Sequence, residues 1–206
     1  MATQDISIWD EANTKAVDII TDSSSKNRLM VDAKVSTSPG TYVDNEVTAM
    51  IEAGQAFTAN SNAVITINAN TTLYIQLVTP ASPEIHLRDV SLNITKGGAS
   101  VPTNMYLSEA PTVTTDGTQL TIFNTNRNST NTATMIVYSG STVSNTGTRL
   151  LAYVTHTDWE TYVSPSYTSP FKWILKPSTK YLITIENPSN QSISMTWFVF
   201  WLEEDH

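Results

Sequence analysis

Apolar residues in this chain come in short runs, most of them β-branched or aromatic, that stop at Gly, Pro, Asn or Ser. Helices need apolar positions repeating every three to four residues over ten or more residues, whereas strands need only four to eight residues between turn formers. The pattern predicts an all-β chain. Candidate strands are Ala63–Asn68, Leu73–Val78, Ile85–Ile94, Asn104–Leu107, Gln119–Asn124, Thr134–Tyr138, Arg149–Thr155, Phe171–Leu175, Tyr181–Glu186 and Ser192–Leu202. Ala63–Asn68 and Leu73–Val78 read as a hairpin with Val64 and Tyr74 turned inward. Eight or more strands so spaced predict an antiparallel β-sandwich of jelly-roll-like form, the commonest eight-strand version. With 206 residues, such a sandwich buries roughly 70% of the surface of its unfolded chain.

The end of the chain has the strongest constraint on packing. Met195–Leu202 reads MTWFVFWL, so Phe198, Phe200 and Leu202 share one face and Trp197, Val199 and Trp201 the other. A strand apolar on both faces must be covered on both, which makes Trp197, Phe198 and Trp201 candidates for core or oligomer contacts. The acids that follow, Glu203, Glu204 and Asp205, read as a solvated end that discourages edge pairing.

A repeat occupies the middle. TVTTDGTQL at Thr112–Leu120 and TVSNTGTRL at Thr142–Leu150 lie thirty residues apart and keep Thr, Val, Gly, Thr and Leu in the same places. They predict two equivalent hairpins, each with a positive φ at Gly117 or Gly147 and an anchoring Leu120 or Leu150. Ser, Thr and Asn supply 70 of the 206 residues, and Gly97–Thr157 holds only four charged residues, Glu109, Asp116, Arg127 and Arg149. Solubility there rests on hydroxyls and amides, and the weak repulsion permits dense packing of neighbouring subunits. FNTNRNSTN at Phe123–Asn131 is a turn in which Arg127 is expected to hold a loop or a subunit contact.

Residues 1–42 differ in character, with a Ser-Ser-Ser run at Ser23–Ser25 and a Ser-Thr-Ser-Pro-Gly boundary ending at Gly40. They read as an extended N-terminal arm or hairpin ahead of a sandwich domain at 43–206. Their apolar residues Ile6, Ile8, Trp9, Val17, Ile19, Met30, Val31 and Val35 are too few for an independent core and are the candidates for contact with a partner.

Chemistry is poorly represented. The chain has no cysteine, which removes thiol catalysis, cysteine zinc sites and disulfides. His86, His156 and His206 lack metal-ligand spacing, and His86 is expected to face outward as a surface residue. No nucleophile elbow, phosphate loop or dinucleotide motif occurs. The expectation is a non-enzyme with no catalytic residue, metal or cofactor. A net charge of −8 with scattered bases argues against nucleic acid as a partner. The opening MATQDISIWDEANTK lacks the basic and apolar regions of a signal peptide, and no run of eighteen apolar residues follows, so synthesis in a cytoplasm and no membrane partner are expected. HTDWETY at His156–Tyr162 places Asp158 and Glu160 around Trp159, too weak a pair to imply glycoside hydrolysis. Trp159, Tyr162 and Tyr167 could instead stack on a sugar, the basis of an alternative reading as a carbohydrate-recognition protein.

The blocks LTIFNTNRNST, GTRLLAYVTHT, ILKPSTKYLITIENPSN and TWFVFWLEE, with the opening DISIWDEANTKAVDIITDSSSKNRLMVDAKV, resemble small β-rich structural proteins of tailed-bacteriophage virions. The resemblance spans most of the chain and rests on strands and turn residues. It implies a capsid decoration (cement) protein or head fibre at the capsid surface, made in the host cytoplasm, commonly a homotrimer with a jelly-roll body, partnered by the major capsid protein or another virion protein. A tail, baseplate or receptor-binding protein is the alternative. No functional residue transfers, because such proteins work by surface complementarity.

Overall fold

The computed structural model describes residues 45–96, 101–157 and 173–204. They form an antiparallel β-sandwich with one eight-residue helix, α1 (Asn45–Glu52), which is too short to cross a membrane. The candidate contacts Ile6, Ile8, Trp9, Val17, Ile19, Met30, Val31 and Val35, and the stacking set Trp159, Tyr162 and Tyr167, lie outside the described residues.

The first sheet contains β1 (Ala56–Asn60), β2 (Ile65–Ile67), β4 (Glu84–Lys96), β8 (Phe123–Asn124), β12 (Trp173–Leu175) and β14 (Ile193–Glu204). Its order is β12-β4-β14-β1-β8, with β2 also pairing β14. β14 is the axis of this sheet, since it pairs along its length with β4 and carries β1 and β2 on its other side. Its alternation sends Ile193, Met195, Trp197, Val199 and Trp201 into the core, while Phe198 and Phe200 are half-buried on the outer face. The partner β4 keeps Ile85, Leu87, Val90 and Leu92 inward although the spacing changes by one between Leu87 and Val90. A bulge resolves this. Leu87 pairs Trp201 and Asp89 pairs Phe200, so Arg88 is the extra residue that preserves the inward set on either side.

The second sheet is β11-β5-β13-β3-β9-β7, comprising β3 (Thr71–Val78), β5 (Val101–Glu109), β7 (Thr118–Gln119), β9 (Ile136–Ser139), β11 (Thr148–Thr157) and β13 (Lys180–Asn187). Ile75, Leu77, Met105, Leu107, Val137, Tyr181, Ile183 and Ile185 face the first sheet and close the core. The predicted hairpin at 63–78 is therefore not a hairpin. β2 joins the first sheet and β3 the second, so the chain crosses between layers there, and Val64 is left 59% exposed. The predicted strand Gln119–Asn124 is likewise split into β7 and β8, one in each sheet.

The repeat explains the second sheet. β6 (Thr112–Thr115) and β10 (Thr142–Asn145) do not fold back on their own copies but pair with each other as a two-stranded ribbon. β5 lies near one edge of the sheet and β7 forms the opposite edge, while β9 and β11 are placed the other way round. Both connections must therefore traverse the sheet, and they meet as the ribbon. The contacts are reciprocal. Thr114 Oγ1 donates to the Thr142 carbonyl at 3.1 Å and Ser144 Oγ to the Thr112 carbonyl at 3.3 Å. Thr118 and Gln119 pair Ser139 and Tyr138, just as Thr148 and Arg149 pair Glu109 and Ser108. The sheet thus has a local pseudo-two-fold between β3 and β13. Leu182, Gln76 and Ser108 point away from the core yet are buried, because the ribbon lies over that face and Asp116 accepts a 2.9 Å bond from Gln76 Nε2. Gly147 has φ +78° as expected, whereas Gly117 does not adopt a positive φ and is required for close approach instead.

Candidate functional site

Most of the nearly uncharged stretch of sequence builds one region of the second sheet and its ribbon, while its β8 joins the first sheet. The stretch supplies β5, β9, the ribbon β6/β10 and the edge strands β7 and β11. On the ribbon Thr112, Thr114, Thr115, Thr142, Ser144 and Asn145 are exposed, so hydroxyls and an amide form this surface. Next to it, on the outward side of β5 and β13, Asn104 Nδ2 donates to Glu186 Oε2 at 2.9 Å and the Tyr106 hydroxyl donates to the same oxygen at 3.2 Å. Partial desolvation, then the charge of Glu186, raises the Tyr106 phenol above its usual range and keeps it a neutral donor. The Arg149 guanidinium sits 3.8 Å from the centroid of the Tyr106 ring, which occupies the cation of β11 within its own sheet. Along β11, Ala152 is exposed, Tyr153 is 43% exposed and Val154 is 54% exposed.

A second cluster joins β4 to β14. His86 Nε2 lies 2.7 Å from Glu84 Oε1 and 3.4 Å from Glu204 Oε2, all three side chains being partly buried. The register aligns Glu204 with Glu84, and His86 follows two residues later on the same face. The imidazole therefore ties two carboxylates at the end of the sheet. Among the described residues this trio alone brings three possible metal ligands within reach of one ion. The hydrogen bond between His86 and Glu84 accounts for this geometry.

The other sequence candidates have structural surroundings. Trp197 and Trp201 are core residues, Phe57 packing on Trp201 with ring centroids 6.1 Å apart, and Phe198 is half-buried on the outer face. Arg127 is exposed, with its guanidinium 5.8 Å from the Phe123 ring centroid. Asparagines hold the loop around it. Asn124 Nδ2 donates to the Gly54 and Asn131 carbonyls, Asn126 Nδ2 to Glu52 and Asn131 Nδ2 to Ala53, fastening the loop to the end of α1. Glu203 is not a solvated end. It is 4% exposed, and its carboxylate accepts bonds from the Thr134 and Met135 amides, the Thr134 hydroxyl and Trp201 Nε1.

Asp89, opposite Phe200, is a partly buried acid of the first sheet. Burial raises its pKa, outweighing the 2.7 Å bond from Ser91 Oγ, and Oδ1 has no partner among the described residues. An acid whose folded pKa is raised binds more protons in the folded chain, so its contribution to stability falls as pH rises through the window above 3.8. Asp89→Asn is therefore expected to raise the melting temperature at pH 7, with the gain shrinking as the pH falls toward 4. Thermal melts of both chains across that range check this, and an unchanged or lowered melting temperature at pH 7 would refute it.

The gap between β4, β5, β11, β12 and β13 is narrow and apolar among the described residues, its lining including Leu87, Val90, Leu107, Trp173, Ile183 and Tyr106, whose hydroxyl is engaged by Glu186. No family model, curated protein or solved structure matches this chain.

Proposed function

We propose that this protein is a non-enzymatic structural subunit of a tailed-bacteriophage virion, a capsid decoration (cement) protein that self-associates and stabilises the major capsid shell. The observation carrying this reading is the neutral region built from β5–β7 and β9–β11, whose ribbon surface is almost wholly hydroxyl and amide. Such a surface neither repels a neighbouring copy at long range nor presents groups that convert a substrate. The two-sheet sandwich is compatible with the jelly-roll body that the sequence resemblance implies. Attachment to the shell is assigned to residues 1–42, with Ile6, Ile8, Trp9, Val17, Ile19, Met30, Val31 and Val35 as the contacting side chains. Many modest contacts repeated over a shell sum to a large effect, so no single interface need be tight.

Immunogold microscopy on virions of the phage encoding the chain tests this reading. Label on heads supports it, label on tails favours a tail or receptor-binding role, and unlabelled particles overturn both. Deleting residues 1–40 is expected to abolish sedimentation with purified heads while leaving the β-type circular dichroism spectrum intact. Undiminished binding would remove the arm from the contact.

A further inference from the structure

Sheet edges offer unpaired backbone donors and acceptors to other chains, and folded proteins blunt them with short strands or charges. Here β12, β8 and β7, at three of the four sheet edges, are only three, two and two residues long. Beyond β12, the remaining stretch of β4 from Arg88 to Lys96 carries Arg88, Asp89 and Lys96. The fourth edge is different. β11 runs for ten residues, Thr148–Thr157, and among the described residues it pairs only with β5. Its single formal charge, Arg149, is stacked on Tyr106, while Ala152, Tyr153 and Val154 stand exposed at its middle.

We propose that β11 is a self-association edge, at which two copies of this chain pair their β11 strands antiparallel about a two-fold axis and join two six-stranded sheets into one of twelve. This names the partner and mode of the self-association proposed above and rests on that reading.

Charge selects the occupant. In a pairing centred on Tyr153, where the two-fold axis passes between the two copies of that residue, each Arg149 lies opposite Thr157 of the other copy. The two guanidinium groups then fall about eight residues apart along the ladder, roughly 27 Å at about 3.4 Å per residue. That is well beyond the screening length of about 8 Å at physiological salt, so the strand does not repel its own copy. An acidic or basic partner strand would find no opposite charge in the centre of this edge. Antiparallel pairing of one strand with itself is also isologous, so it closes at two copies and does not propagate into a fibre.

Size sets the strength. A ten-residue strand is about 33 Å long. Covering a strip about 10 Å wide along it buries roughly 300–400 Å² per copy, below the roughly 800 Å² of a stable pairwise interface. The dimer is therefore weak in dilute solution and gains from the high local concentration of a crowded shell.

Sedimentation velocity of the full chain from about 5 µM to about 1 mM is expected to show a monomer shifting to a dimer. Ala152→Lys, which puts two ammonium groups beside the axis, should hold the chain monomeric at least tenfold higher in concentration, with the melting temperature unchanged within about 2 °C. Because the natural chain has no cysteine, single Cys substitutions at Ala152, Tyr153 and Val154 provide an independent readout that does not depend on a destabilising charge. Mild oxidation should give covalent dimers from at least one of them far faster than from Arg127→Cys on an exposed loop. A monomer throughout, a trimer, or equal cross-linking from position 127 would overturn the β11 pairing. Virion labelling separates the two readings. A monomeric chain that labels heads leaves the virion role standing without this edge, and a dimer absent from virions leaves the edge without that role.

Discussion

Glu203→Ala is expected to lower stability by about 3–5 kcal/mol, because it removes the acceptor shared by donors of Thr134, Met135 and Trp201, those of Met135 and Trp201 being buried. The Thr134 amide bonds both carboxylate oxygens at 3.0 and 2.9 Å, the Met135 amide one of them at 3.1 Å, and Trp201 Nε1 donates at 2.9 Å. Thr134 Oγ1 adds a bond at 2.7 Å. These donors belong to the segment leading into β9 and to β14 itself, so the carboxylate joins a strand of the second sheet to the central strand of the first. The residue is only 4% exposed, so its carboxylate is largely shielded from solvent. For a chain of this length each kcal/mol moves the melting temperature by about 2–4 °C, so a fall of about 6–20 °C is expected. Glu203→Gln keeps one acceptor oxygen but turns an NH2 group toward other donors, and should cost about half as much. Thermal melts followed by circular dichroism decide the matter. An Ala variant melting within about 2 °C of the parent would show that the carboxylate does not organise this junction.

That junction was hidden in the sequence for a physical reason. An acid after an apolar strand usually belongs to solvent, and nothing in WLEED marks Glu203 as inward except its place in the alternation with Trp197, Val199 and Trp201. Continuing the period by one more step would have placed it in the core. The long strands were legible because burial writes a period of two into them, as in Ile183 and Ile185 or Met195, Trp197 and Val199. β1 was not, because AFTAN has two Ala and one Asn and is held by its neighbours β14 and β8 more than by its own apolar content. The hairpin reading at 63–78 failed because a short turn looks the same whether the chain returns to its own sheet or crosses to the other.

The candidate surface was legible in composition but not in shape. Sparse charge between Gly97 and Thr157 was visible, and so was the repeat. What a linear reading lacks is the pairing of β6 with β10, which depends on two segments thirty residues apart meeting above Gln76 and Leu182. His86 shows the same limit. Its outward direction follows from alternation, but its contact with Glu204 depends on a register of β4 against β14 that contains a bulge at Arg88.

Gly147→Ala and Gly117→Ala are each expected to cost about 3 kcal/mol or more, since both residues let the crossing ribbon touch backbone. A Cβ on Gly147 would overlap the Glu109 carbonyl oxygen and lie 2.8 Å from Ala110 C and Pro111 N. One on Gly117 would overlap the Ser139 carbonyl oxygen and lie 2.7 Å from Ser139 C and Ser141 N. Each glycine thus seats against the turn that leads into the other copy of the repeat, and neither obstacle is a flexible side chain that could swing away. Gly147 adds a φ of +78°, worth about 1 kcal/mol against Ala, so it should be the more sensitive of the two. Gly140 separates the two causes. Its φ is +77° but a Cβ there meets nothing within 4 Å, so Gly140→Ala should cost only about 1 kcal/mol. Because both clashes push on one ribbon, the double variant Gly117→Ala with Gly147→Ala should cost less than the sum of the single effects. Urea denaturation of the four variants gives these values. If Gly140→Ala proves as damaging as Gly147→Ala, the positive φ rather than close approach governs that position, and if Gly117→Ala also costs under about 1 kcal/mol the ribbon does not press on the turns as the pseudo-two-fold requires.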